Sequence, residues 1–296
     1  MDMRIRSELG TVLGLCLAAT PILAAPALDL PLVRKQPCTV IASFPYTITA
    51  PGNYCLSADH VTDSGAGIAI ASNDVKLDCK GHSITKSIRG PWYSTGIGSE
   101  FNLSNVTIQN CRIGDFGKGI AIGGRNIRVL NNSIDGAMRD GISSGGHSAH
   151  VIGNRVTNTY SDDPDHPGGV SISVFPYDVD VVTTGQVISN NVVVGAVDGS
   201  DAGIAVYGSS APLITGNQIL ELNPAGSMVI SAIVLGARGN TSTTGAVVSR
   251  NSMMVRGPNV RAVNGVAALC ANNVAIGLQA DAFANCQAAT GNTVIP

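Results

Sequence analysis

Aromatic and charged side chains are scarce in this chain. Aromatics make up 4% and charged residues 13% of 296, where an ordinary soluble domain carries about a quarter charged residues. The surface is therefore bland. A formal net charge of -2 leaves no electrostatic footprint for nucleic acid. There is no basic amphipathic run of the kind that lies on a membrane. Paired C-x-x-C spacing is absent, which excludes a zinc site of that type. No phosphate-binding glycine loop, dinucleotide fingerprint or Ser-His-Asp order occurs in a convincing context. Gly-Gly-x-Gly-x-Asp calcium arrays are missing as well.

The first residues read as a targeting segment. Arg4 and Arg6 precede an apolar run from Val12 to Ala24, and Ala25-Pro26-Ala27 offers a small-residue cleavage site. This pattern predicts a secretory signal peptide over 1–27, with Cys16 inside the removed segment, and a secreted or periplasmic protein. No second apolar span follows, so no membrane span is expected. Six cysteines remain: Cys38, Cys55, Cys79, Cys111, Cys270 and Cys286. An even count in an exported chain predicts disulfides. Cys38 with Cys55 and Cys270 with Cys286 each close a short loop. Cys79 and Cys111 are either a pair or two buried free thiols.

What the chain has in quantity is a repeat. Gly96-Ile97, Gly119-Ile120 and Gly141-Ile142 return at intervals of 23 and 22 residues, each followed by a second β-branched run: Val106-Thr107-Ile108, Ile127-Arg128-Val129 and Val151-Ile152. A fixed period of this length with no helical segment predicts a stacked solenoid, since one coil cannot bury its apolar face alone. The same pattern begins at Gly67-Ile68 and continues through Gly169-Val170, Gly203-Ile204 and Ala232-Ile233. The second strand ends on a recurring asparagine (Asn132, Asn154, Asn191, Asn217, Asn251), with Asn110-Cys111 in the equivalent place. Stacked amides hydrogen-bond along a ladder, so these are read as structural. The expected organisation is a leader and N-terminal cap over 28–66, about nine coils over 67–265 and a C-terminal cap over 266–296.

Gly67-Ile68-Ala69-Ile70, Leu77-Asp78-Cys79-Lys80-Gly81-His82-Ser83-Ile84 and the repeated G-I … N-x-I coils resemble the right-handed parallel β-helix proteins of the pectin-lyase-like group. The resemblance covers about residues 38–265 and implies an all-β, right-handed parallel β-helix. It leaves function open, because that architecture hosts lyases, hydrolases, epimerases and inert adhesins.

Alternation along the first strand sends Ala69, Ala121, Ser143, Ser171 and Ala205 outward. Pectate lyases resembling this fold place acidic calcium ligands and a basic residue on that face. Here the column is small and uncharged, so no such site is expected on the strand. On the second strand the outward column is read as Asp78, Thr107, Arg128, His150, Val187, Leu213 and Val247, with the apolar half covered by loops 174–185 and 237–245.

The connecting turns vary more. They span 85–95, 114–118, 135–140 and 157–168, two short turns between two long ones. Stacked on one side, they predict a walled cleft. Trp92 and Tyr93 stand on one wall, Tyr160, Asp162, Asp163, Asp165 and His166 on the other, and Lys118, Arg139 and Asp140 on the floor. These residue types suit uronate chemistry, in which a base removes the proton beside a carboxylate and a cation holds the developing charge. Lys118 or His166 is the candidate base, Arg139 or Lys118 the cation, with Asp140 beside them. Trp92 and Tyr93 can stack on a sugar face, with Tyr160, Asp163 and Asp165 as further binding residues. Paired-acid hydrolysis by Asp140 and Asp163 is a further option. Asp163-Pro164-Asp165-His166 resembles the Asp-Pro-His-Asp motif of alginate epimerases with its last two residues exchanged. The loop aspartates are also candidate Ca²⁺ ligands. The expected function is exported, lyase-type elimination or epimerisation of an acidic polysaccharide, and the alternative is a non-catalytic glycan- or surface-binding protein.

Overall fold

A computed structural model describes residues 37–99, 102–161, 169–176, 178, 180–195, 200–222, 230–255, 260–265, 268–278 and 281–296. The segment read as a signal peptide and leader, 1–36, lies outside them. Among the described residues there is no helix.

Three sheets run the length of the body, two of eleven strands and one of ten. Sheet 1 contains Ala66–Ile70, Thr95–Ser99, Lys118–Arg125, Asp140–Gly145 and Gly169–Phe175. Sheet 2 contains Val75–Asp78, Thr107–Gln109, Arg128–Leu130 and His150–Ile152. Sheet 3 contains Ser83–Lys86, Arg112–Gly114, Ser133–Asp135 and Arg155–Thr157. Except for Thr241–Ser242, which turns back antiparallel on the strand before it, these strands pair in parallel from one winding to the next, so the chain is a parallel β-helix. The segments read as caps also supply rungs: Thr39–Ile41 and Tyr46–Ile48 at one end, Ala288–Thr290 and Thr293–Ile295 at the other.

The core is three stacked columns. Ile68, Ile97, Ile120, Ile142, Ile172, Ile204 and Ile233 are register partners along sheet 1. Leu77, Ile108, Val129, Val151, Ile188 and Ile214 do the same on sheet 2. Ile84, Ile113, Ile134, Val156, Val193 and Ile219 do so on sheet 3. All are buried, and each contributes about 1.5–3 kcal/mol of apolar burial. The Gly-Ile pair has a steric cause. A Cβ on Gly119 would lie 2.5 Å from the carbonyl oxygen of Gly141 and 2.5 Å from the Ile134 side chain. The turn into sheet 1 passes too close to the next winding for any side chain, and the following isoleucine fills the core.

Two register assignments differ from the sequence reading. Val170 pairs with Asp140 and Ile172 with Ile142, so Ser171, not Gly169, takes the glycine position, and Ser173 takes the outward place expected for Ser171. The pair Gly169-Val170 imitates the Gly-Ile signature two residues early. On sheet 2, Thr107 pairs with Lys76, so Lys76 replaces Asp78 in the column of Arg128 and His150. The apolar half of that column is not covered as expected. Leu213 is 37% exposed and Leu269, which continues it, 48%.

The corner between sheets 2 and 3 is an amide ladder. The side-chain NH₂ of Asn132, Asn154, Asn191, Asn217, Asn251 and Asn273 each donates to the carbonyl oxygen of the next asparagine side chain, ending at Asn292, over 2.9–3.0 Å. The backbone N–H of each donates to the same oxygen. At its other end the Cys111 N–H donates to Asn132, and Cys111 is bonded to Cys79. That disulfide occupies the ladder position one winding earlier. Cys38–Cys55 and Cys270–Cys286 are also bonded.

Candidate active site

The variable corner, between sheets 3 and 1, gathers the polar groups. Thr95, Lys118, Asp140 and Val170 are register neighbours on successive rungs, so the first side chains of two adjacent strands are an amine and a carboxylate. Arg139 precedes Asp140 in the turn, and its Nε lies 3.8 Å from Asp140 Oδ2. Burial pushes Asp140 above the usual carboxylate range, against the pull of Lys118 and then Arg139. Burial likewise lowers the Lys118 amine. Asp140 opposes that shift and the Arg139 cation adds to it. The result is a half-buried amine whose proton is held less tightly than that of a surface lysine.

Aromatics close over this group. The Pro91-Trp92 backbone lies against Gly117, where a Cβ would come within 2.4 Å of it. The Arg139 guanidinium stands 5.4 Å from the centroid of the Trp92 ring, and Tyr93 packs edge-on to Trp92 at 5.6 Å. Arg89 pairs with Asp115 at 3.7 Å and stands over the Tyr160 ring at 4.6 Å.

The structure thus brings Lys118, Arg139, Asp140 and Trp92 together. Tyr93 is 65% exposed and meets the group through its edge-on contact with Trp92. Tyr160 lies under the Arg89 guanidinium, and its backbone N–H donates to the Ala137 carbonyl at 3.1 Å. Asp162, Asp163, Asp165 and His166 lie outside the described residues, as do the acid pair and the calcium site that depend on them. Among the described residues no group of three His, Cys, Asp or Glu is placed to hold a metal ion. The second wall of the expected trench lies mostly outside the described residues; among those described, Arg89 of one long turn stands over the Tyr160 ring of the other, and the Arg139 guanidinium stands beside the Trp92 ring.

The main recess lies one step away, on the outer face of sheet 1. It encloses about 530 Å³ and crosses successive rungs at Thr47, Ala69, Gly98, Ala121 and Ser143, with Phe175 near its far end. Lys118 lies on its rim. The small side chains discounted in the sequence are what make this face concave. The available signal was their recurrence in one outward column, which lowers the floor relative to its flanks. Five intervals between rungs, from Thr47 to Ser173, give a face of about 24 Å along the solenoid axis.

No family model matches the chain, and no curated protein matches it. Solved structures do. The Dettilon tailspike protein matches with a TM-score of 0.52 and 15% identity over 87% of this chain and 51% of the tailspike, so the chain spans about half that protein's length. The catalytic domain of a GH87 α-1,3-glucanase, solved with tetrasaccharides, matches at 0.47 and 17% identity over 76% of this chain and 44% of that one. The mannuronan C-5 epimerase AlgE6 A-module of Azotobacter vinelandii matches at 0.27 and 15% identity, covering 88% and 91%. The likeness to the tailspike is one of fold.

Proposed function

We propose that this protein is exported, holds an acidic polysaccharide along the outer face of sheet 1, and acts on it at Lys118 by elimination or epimerisation. The observation that carries this reading is the half-buried Lys118 amine on the rim of a recess of about 530 Å³, with Arg139 and Trp92 beside it. An amine, a permanent cation and an aromatic ring at one corner support the substrate class, and three disulfides support an oxidising compartment.

In the proposed reaction the neutral amine of Lys118 takes the proton on the carbon next to a uronate carboxylate. In elimination that electron pair forms the ring double bond, the neighbouring C–O bond to the next sugar breaks, and the leaving oxygen takes a proton from water. In epimerisation water returns a proton to the opposite face of the carbon. In both, Lys118 then gives its proton to the hydroxide formed. Arg139, a permanent cation, offsets the charge that develops on the carboxylate. Asp140 is a positioning residue, because its carboxylate sets how readily Lys118 gives up its proton.

The second reading, glycan binding without turnover, is favoured by one feature: among the described residues Lys118 is the single charged one lining the recess. Alginate and polygalacturonate separate the two readings, followed by absorbance of unsaturated uronate and by sugar NMR. Double bonds or inverted sugars that vanish in Lys118→Met support the enzyme. Binding with neither product supports the second reading, and absence of binding sinks both.

A further inference from the structure

We propose that the corner between sheets 1 and 2 is a second, separate site for a polyanionic glycan, held by Arg125 and Arg128. Arg125 ends one strand and Arg128 opens the next, with Asn126 making the bend at φ 57°. Both arginines are exposed. Among the described residues neither makes a salt bridge or a side-chain hydrogen bond, and Lys76 on the same face makes none. The two carboxylates that flank Lys76 are held by amide side chains, and Asp78 also feels the Lys76 charge. Asp74 accepts from Asn105 at 2.8 Å, and Asp78 accepts from Gln109 and Asn110 at 2.7 and 3.0 Å.

A recess of about 380 Å³ opens between Asn105, Thr107, Asn126 and Arg128. A smaller one of about 140 Å³, lined in part by Arg125 and His147, lies across the Asn105–Asn126 turn. Asn126 donates to Asn105 at 3.0 Å, which fixes the ridge between them. Along sheet 2 the column runs Lys76, Thr107, Arg128, His150. Burial and the adjacent Arg128 hold the His150 imidazole below its usual range. Arg125 and Arg128 thus present two exposed cations at one bend with no anionic partner among the described residues, which points to an anionic ligand.

The ligand chemistry follows from the geometry. Lys76 and Arg128 are two rungs apart, about 9.6 Å, so their anionic partners repeat along an extended chain. Asn126 and Thr107 suit sugar hydroxyls between those anions. A uronate or sulfate-ester polysaccharide has both features. Single-stranded nucleic acid calls for aromatic platforms, and among the described residues no Phe, Tyr or Trp lines either recess. The site shares its ligand class with the reading of the sheet 1 recess but none of its residues, so each can fail alone.

The test is calorimetric titration of the full chain in a Lys118→Met background, which removes the charged residue described in the lining of the sheet 1 recess. The probes are dextran sulfate, polygalacturonate, neutral dextran and single-stranded DNA. Dextran sulfate or polygalacturonate is expected to bind, and to bind more weakly as salt rises. Arg125→Ser with Arg128→Ser is expected to weaken that binding about tenfold or more. The double lysine variant retains it, and thermal melts verify that both variants fold. Exposed Arg155 on sheet 3 serves as control. The proposal is overturned if the double serine variant binds as before, if Arg155→Ser loses as much, or if neutral dextran or DNA binds better than either polyanion.

Discussion

The two corners on either side of sheet 3 follow opposite rules. At the corner with sheet 2, asparagine occupies one position from Asn132 to Asn292, and every amide donates to the next and to a backbone carbonyl. At the corner with sheet 1, turns differ in length from one winding to the next, and Lys118 and Asp140 answer each other across a single rung. A group repeated on every rung can be satisfied along the axis, so it can be buried without cost in unpaired donors. A group present once must be satisfied sideways, and it leaves a perturbed amine beside a recess. Repetition serves stability here, and departure from repetition makes the candidate site.

Breaking the regular corner carries the largest expected effect. Asn191→Leu removes an oxygen that accepts from Asn154 twice and a donor to Val151 and Asn217. It is expected to cost about 4 kcal/mol or more, since several buried groups lose partners at once. Urea unfolding measures it, and a loss below about 1 kcal/mol would show that water replaces the ladder. Next is the disulfide that ends the ladder. Cys79→Ala with Cys111→Ala opens a bridge of sequence separation 32 and is expected to cost roughly 3–4 kcal/mol. A smaller loss under non-reducing conditions would mean that stacking alone holds that winding.

At the irregular corner the expected effects are on titration. Asp140 raises the Lys118 pKa and Arg139 lowers it. Asp140→Asn therefore lowers it further, and the neutral amine appears at lower pH. Arg139→Gln raises it, and the neutral amine appears at higher pH. If Lys118 is the base, the rising limb of the kcat/KM profile shifts to lower pH in the first variant and to higher pH in the second. Shifts of the same sign in both would remove Lys118 from that role. The smallest effect belongs to Arg89→Ala. Its ion pair with Asp115 is largely exposed, so stability should change by less than about 1 kcal/mol. A larger loss by thermal melt would show that the Arg89–Tyr160 contact between the long turns is structural.

The fold was legible because its signals are local and periodic. Gly119-Ile120 tells of a close approach and a buried side chain in two letters, and Asn154 ends its strand where the ladder needs an amide. The same economy produced the register errors. Gly169-Val170 satisfies the pattern without occupying it, and Asp78 sits two residues from the outward position that Lys76 fills. Cys79 and Cys111 were open from spacing alone, because adjacency in a solenoid depends on which residue of the winding faces which.

The candidate site was legible in part. Lys118, Arg139, Asp140 and Trp92 were singled out from turn lengths and residue types, and they are neighbours. The recess was not foreseen, because Ala69, Gly98 and Ala121 carry no chemistry of their own, and concavity belongs to a surface, not to a residue. Periodicity and side-chain alternation by themselves determined that this chain winds into stacked parallel rungs with an isoleucine core and an asparagine corner. Only the tertiary structure decided that Trp92 lies over Arg139, that Lys118 is half-buried beside Asp140, and that the small residues form a floor. Those features depend on distances between windings some twenty residues apart in the chain, which a local pattern does not encode.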